Sequence, residues 1–126
     1  METKRKLSAV EEEFYAHLKR QLLFSGIDIR IKRSLYDICQ ENDILLPFGK
    51  DTELLKDIVI DFLLYKKGKL IAGIEVLDEE NELDEKRGEK TLINFNFARL
   101  SAECFMVSDF RNLKQEAKQI KEKITS

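Results

Sequence analysis

Residues 58–77 constrain the fold more than any other stretch of this chain. Ile58-Val-Ile-Asp-Phe-Leu-Leu-Tyr65 is apolar almost throughout, the pattern of a β-strand covered on both faces rather than one. Lys66-Lys-Gly-Lys69 reads as a hairpin turn, with Gly68 free to take positive φ. Leu70-Ile-Ala-Gly-Ile-Glu-Val-Leu77 is the partner strand. Each strand carries one acid, Asp61 and Glu75, in its apolar middle, where a carboxylate is costly unless something compensates it. The turn decides whether the two acids meet. A three- or five-residue loop puts Asp61 diagonal to or directly opposite Glu75 on one face. A two-residue loop at Lys67-Gly68 sets Asp61 against Ile74 and turns the carboxylates apart. In the first arrangement the like charges lie within roughly 5 to 8 Å of each other and call for a proton, a basic side chain or a metal ion. Carboxylate oxygens suit a hard divalent cation, Mg²⁺ or Mn²⁺. The plainer alternative is that each acid pairs with a nearby Arg or Lys and does nothing more.

The flanking segments complete an α/β pattern. Ser8-Ala-Val-Glu11 is a capping box, and Val10, Phe14, Leu18 and Leu22 recur at helical spacing, so a helix is expected from about Ala9 to Phe24, ended by Ser25-Gly26. Ile27-Asp-Ile-Arg-Ile-Lys-Arg33 alternates apolar and polar, as a half-buried strand near a sheet edge does. Leu35 to Ile44 reads as a short helix or turn, and Pro47-Phe-Gly-Lys-Asp51 as a loop. Asp78 to Glu89 is densely charged and reads as a solvated loop leading into a helix. Ile93, Phe97 and Leu100 mark a helix face, Cys104-Phe-Met-Val107 a short buried strand, and Ser108 or Asp109 the cap of a polar final helix reaching about Ile124. The expected order is α-β-β-β-α-β-α: a small mixed sheet of about four strands flanked by helices. The helix between the hairpin and the Cys104 strand permits a parallel crossover. With 126 residues, the whole chain, 1–126, reads as one domain.

Composition narrows the function classes. A charged share of 37% with a net charge of -2 gives no overall basic field, so a nucleic-acid partner needs a local basic patch. Cys39 and Cys104 are the only cysteines and form no C-x-x-C pair, which fits reduced thiols in a cytoplasmic protein. His17 is the only histidine; a zinc site of the usual spacing is excluded and a Ser-His-Asp triad has one candidate. The basic start, Met1 to Lys6, is followed by no apolar h-region, and the longest apolar run is too short to span a membrane. Lys66, Lys67 and Lys69 read as a solvated hairpin tip, with a phosphate contact as the alternative. Lys114, Lys118, Lys121 and Lys123 alternate with Glu116 and Glu122 as on a solvated helix or an assembly surface. His17 reads as exposed, and Tyr15, Tyr36 and Tyr65 as packing residues. No glycine-rich phosphate loop is present.

Asp61, hairpin, Glu75, helix, strand is an order similar to the core of the PD-(D/E)XK, or restriction-endonuclease-like, nucleases. Leu7-Ser-Ala-Val-Glu-Glu-Glu-Phe14 also resembles the opening, roughly L-[ST]-x-x-E-x-x-F, of an uncharacterised bacterial domain family in that superfamily. Ile60-Asp-Phe-Leu63, Ile74-Glu75 followed closely by an acid, and a later helix with basic residues extend the likeness over most of the chain. Each motif is weak alone; the element order is the stronger part. The resemblance implies a Mg²⁺- or Mn²⁺-dependent hydrolase of DNA phosphodiesters, endonuclease or exonuclease, with Asp61 and Glu75 as metal ligands and the Val76 carbonyl as a third. Glu12 matches an acidic position some relatives use, with Glu11 or Glu13 as register alternatives. One departure stands out. The lysine expected two residues after the second acid is Leu77, which cannot activate water. Asp78, or Lys90 or Arg87 from the following helix, are the candidates to replace it. The competing expectation is a non-catalytic relative that binds nucleic acid or protein, or a homo-oligomeric module.

Overall fold

The computed structural model describes residues 7–42, 55–77, 93–94 and 96–125. It is a four-stranded mixed sheet with helices on both faces, in roughly the expected order, with the short Leu35 segment formed as a helix between the first two strands. Helix α1 (Ala9–Gln21) is followed by strand β1 (Ile27–Ser34), helix α2 (Leu35–Glu41) and the hairpin strands β2 (Val59–Lys66) and β3 (Lys69–Val76). Residues 93–94 and 96–99 are helical and precede β4 (Glu103–Val107), a 3-10 turn (Phe110–Asn112) and helix α3 (Leu113–Thr125). The strands lie in the order β1-β2-β3-β4. The first two pairings are antiparallel and β3–β4 is parallel, as a crossover with a helix between those strands allows. Thus β1 is an edge strand, as its alternation predicted.

Local chemistry accounts for the element ends. Ser8 and Glu11 form the complete capping box: the Glu11 N–H donates to Ser8 Oγ, and the Ser8 N–H to Glu11 Oε1 at 2.8 Å. The helix stops at Gln21, three residues short of the sequence expectation. The Leu22 N–H bonds back to Leu18 O, and Phe24 and Gly26 then take φ of 64° and 79°, left-handed backbone that no α-helix continues through. Phe24 is left 97% exposed. Ser34 caps α2 by accepting from the Asp37 N–H. Asp109 caps the 3-10 turn ahead of α3 through the Arg111 N–H.

Two apolar layers cover the sheet. Phe14 and Leu18 of α1 and Leu113, Ala117 and Ile120 of α3 pack on Phe62, Leu64, Ala72, Ile74 and Val76. On the other face, Leu35 and Ile38 of α2 join Ile60, Leu63, Leu70, Ile93 and Phe97. Burial of β2 and β3 on both sides is what the nearly continuous apolar runs required. The Phe97 ring lies so close over β3 that a Cβ on Gly73 would meet it at 2.6 and 2.7 Å; only a glycine admits this approach. Cys39 is buried, Cys104 partly so, and neither is in a disulfide. No helix of the described residues is long and apolar enough to cross a membrane.

Candidate functional site

The hairpin brings the two acids together by a route that loop length alone did not predict. The turn is the two-residue form: Lys66 pairs with Lys69, and Lys67 and Gly68 take φ of 53° and 78°, the mirror-image geometry such hairpins favour. Left uninterrupted, that turn would set Asp61 against Ile74. A bulge intervenes. Tyr65 pairs with Leu70 but Leu64 with Ala72, so Ile71 is the extra residue and every later pairing advances by one. Phe62 therefore pairs with Ile74, and Asp61 stands opposite Glu75. The expectation that an odd loop was needed is corrected: a two-residue turn plus a one-residue bulge gives the same register.

At this level the ladder gives way to side chains. The Asp61 N–H donates to Glu75 Oε1 at 3.2 Å, and the Val76 N–H to Asp61 Oδ2 at 2.7 Å. Strand β2 also loses its alternation here, since Ile60 packs in one apolar layer and Phe62 in the other. Asp61 is 4% exposed and Glu75 wholly buried, as their apolar settings predicted.

The third member was not anticipated. On β1, Ile31 pairs with Phe62 and Arg33 with Ile60; Lys32 lies between them, level with Asp61 but outside the ladder, at φ 51°. Positive φ in a lysine costs on the order of 1–2 kcal/mol. It turns the side chain off the polar face that Asp28 and Arg30 share. Lys32 Nζ donates to Asp61 Oδ1 at 2.7 Å and to Glu11 Oε2 at 3.0 Å. Glu11 is the capping-box acid, so one oxygen closes the end of α1 while the other holds Lys32. Lys32, Asp61 and Glu75 form a row across three strands, with Glu11 above it from α1. Burial pulls the Lys32 ammonium toward neutrality, but its hydrogen bonds and charge pairing with Asp61, then Glu11, outweigh that and raise its pKa.

Other expected residues separate cleanly. Glu11, a register alternative, is the buried first-helix acid; Glu12 is exposed. Val76, offered as a third ligand through its carbonyl, adjoins Asp61 through its N–H. Arg87, Lys90 and Asp78 lie outside the described residues. Lys66, Lys67 and Lys69 are exposed at the hairpin tip. Tyr65 is buried, with its phenol pushed up by burial and by Glu41, and burial likewise raises the Cys39 thiol; neither is primed as a base or nucleophile. His17 is half-buried rather than exposed, with Nε2 3.9 Å from Glu13 Oε2.

The donor chemistry fits a hard cation in part. Two carboxylates on adjacent strands are a sufficient protein contribution for Mg²⁺, which keeps waters and substrate oxygens as its other ligands. Among the described residues no group of three or more Asp, Glu, His or Cys is arranged to hold a metal ion. Compared with protein-family models, curated proteins and solved structures, the chain matches none.

Proposed function

We propose that this chain is a metal-dependent, nuclease-like domain acting on DNA phosphodiesters, of the PD-(D/E)XK kind, with Asp61 and Glu75 supplying the carboxylates for Mg²⁺ or Mn²⁺. What supports the reading is one observation: a strand bulge aligns two buried acids, and a lysine ammonium lies 2.7 Å from one of them. When bound, the cation would supply an activated water and offset charge developing on the phosphodiester. The chain's own groups have separable tasks. Glu75 and Asp61 offer oxygens from neighbouring strands, and the Val76 N–H orients the Asp61 carboxylate. Lys32 provides the positive charge that Leu77 cannot. Its raised pKa keeps it protonated at neutral pH, so its role is electrostatic stabilisation rather than proton abstraction.

The test is cleavage of labelled DNA and RNA with Mg²⁺ or Mn²⁺, alongside Mn²⁺ titration by calorimetry, for the wild type, Asp61→Asn and Glu75→Gln. The wild type is expected to bind Mn²⁺ and cut DNA, and each variant to lose roughly a hundredfold or more of the activity. A pure wild-type preparation that binds no Mn²⁺ and cuts neither polymer sinks the proposal. A second reading, a non-catalytic nucleic-acid or protein-binding relative, is favoured by Leu77 and by the neutralisation of Asp61 that Lys32 already provides. DNA binding without metal, unchanged by Asp61→Asn and without cleavage, would select it.

A further inference from the structure

On the side of α1 away from Glu11, a cavity of about 480 Å³ opens between α1 and the start of α3. Glu13 and His17 line it from α1; Arg111, Lys114 and Lys118 line it from the 3-10 turn and α3. Among the described residues none of these three cations makes an ion pair. Glu13, the sole acid among the described residues of the wall, faces His17 instead. Asp109, close by in the chain, is committed to the Arg111 N–H and the Asn112 side-chain amide. Three positive charges thus line one concavity of a chain whose net charge is -2. Exposed cations gathered on one wall make a local basic patch that attracts an anion, and the positive end of α3 adds to the attraction.

We propose that this cavity is a phosphate-binding site. Arg111 would grip two phosphate oxygens through its guanidinium fork, Lys114 and Lys118 would act as point charges from successive turns of α3, and His17 would donate from α1. The same chemistry serves a phosphodiester in a nucleic-acid backbone or free phosphate. The first source gives the proposed substrate a contact outside the row of Lys32, Asp61 and Glu75. That extension leans on the proposed function, but the site itself is tested in EDTA, where no cleavage occurs, so the two ideas fail separately.

The experiment measures binding of the full chain to a fluorescently labelled DNA duplex in EDTA over a range of salt, and chemical-shift changes on titration with inorganic phosphate. The wild type is compared with R111Q/K114Q/K118Q and with K66Q/K67Q/K69Q, which removes the same charge at the hairpin tip. All six side chains are exposed, and circular dichroism checks that both variants fold; Lys118→Glu alone serves if the cavity triple does not. DNA as the source predicts at least a tenfold loss of affinity in the cavity variant. It also predicts a log–log salt slope shallower by about 2 to 3, since each phosphate contact contributes about 0.9. The tip variant should change far less. Free phosphate as the source predicts saturable shifts at Lys114 and Lys118 that the cavity variant lacks, with no DNA binding. If the wild type binds neither, or if the tip variant loses as much as the cavity variant, the site is refuted.

Discussion

Replacing Lys32 with methionine tests the physical account of the row directly. Methionine keeps the apolar stem and removes only the ammonium. The side chains of Lys32, Glu11 and Asp61 are 15%, 7% and 6% exposed, so the change removes from two buried carboxylates the cation they share. Breaking a buried ion pair by deleting one partner costs about 3–5 kcal/mol. Lys32 retains some access to water, which places the expected loss near the lower end, about 3 kcal/mol. The left-handed backbone stays, because methionine tolerates φ 51° no better than lysine, so strain relief does not mask the loss. Against a total stability of about 5–15 kcal/mol for a domain the effect is large. At this chain length it corresponds to a fall in Tm of about 10 °C. Urea denaturation at neutral pH, followed by circular dichroism, reads it as a lower midpoint with an unchanged slope. The variant K32M/E11Q/D61N carries neutral groups at all three positions and should recover most of the loss, since what is costly is the unpaired charge rather than the missing contact. The reasoning is refuted if K32M unfolds within about 1 kcal/mol of the wild type, or if the triple variant is as unstable as K32M.

Two further outcomes follow from the same geometry. Lys32 has a folded-state pKa above its ordinary 10.5. Its stabilising contribution is therefore fully present below pH 10.5 and lost as pH rises through the higher folded value. Urea midpoints measured across that alkaline window should fall more steeply for the wild type than for K32M; parallel curves would show that Lys32 is not responsible. Gly73→Ala should destabilise by about 1–3 kcal/mol, because its Cβ would lie 2.6 Å from Phe97 Cζ and 3.3 Å from Ile60 Cγ2. A Tm within a degree of wild type would mean that Phe97 swings aside freely.

Much of the architecture was legible because it rests on local pattern. The Ser8–Glu11 box, the alternation from Ile27, the nearly continuous apolar runs of β2 and β3 and the glycine of the turn each act through near neighbours. The site was half legible. Asp61 and Glu75 betray themselves as acids where only apolar residues belong, but their alignment hangs on Ile71, whose apolar side chain looks like any other in β3. Ile71 and Ala72 both pack toward the α1 layer, a choice made by tertiary packing that leaves no mark in the alternation. Lys32 was hidden more deeply. It shares the parity of Asp28 and Arg30 and so reads as solvated, yet Ile31 is the more exposed neighbour, at 38%. Only the unmet demand of Glu11 and Asp61 for a cation could have singled it out.

The bulge at Ile71 has a consequence for how this hairpin tolerates change in length. Strand side chains alternate with period two, so register is a matter of parity. The two-residue turn and the single extra residue combine as one odd offset: with Ile71 kept in the ladder, the turn alone would set Asp61 against Ile74. Deleting Ile71 closes the bulge and leaves Asp61 level with Glu75. Deleting one residue between Asp61 and the bulge moves Glu75 out of line unless a second irregularity absorbs the slip. The bulge thus gives β3 one residue that the hairpin can shed while still keeping its two acids face to face.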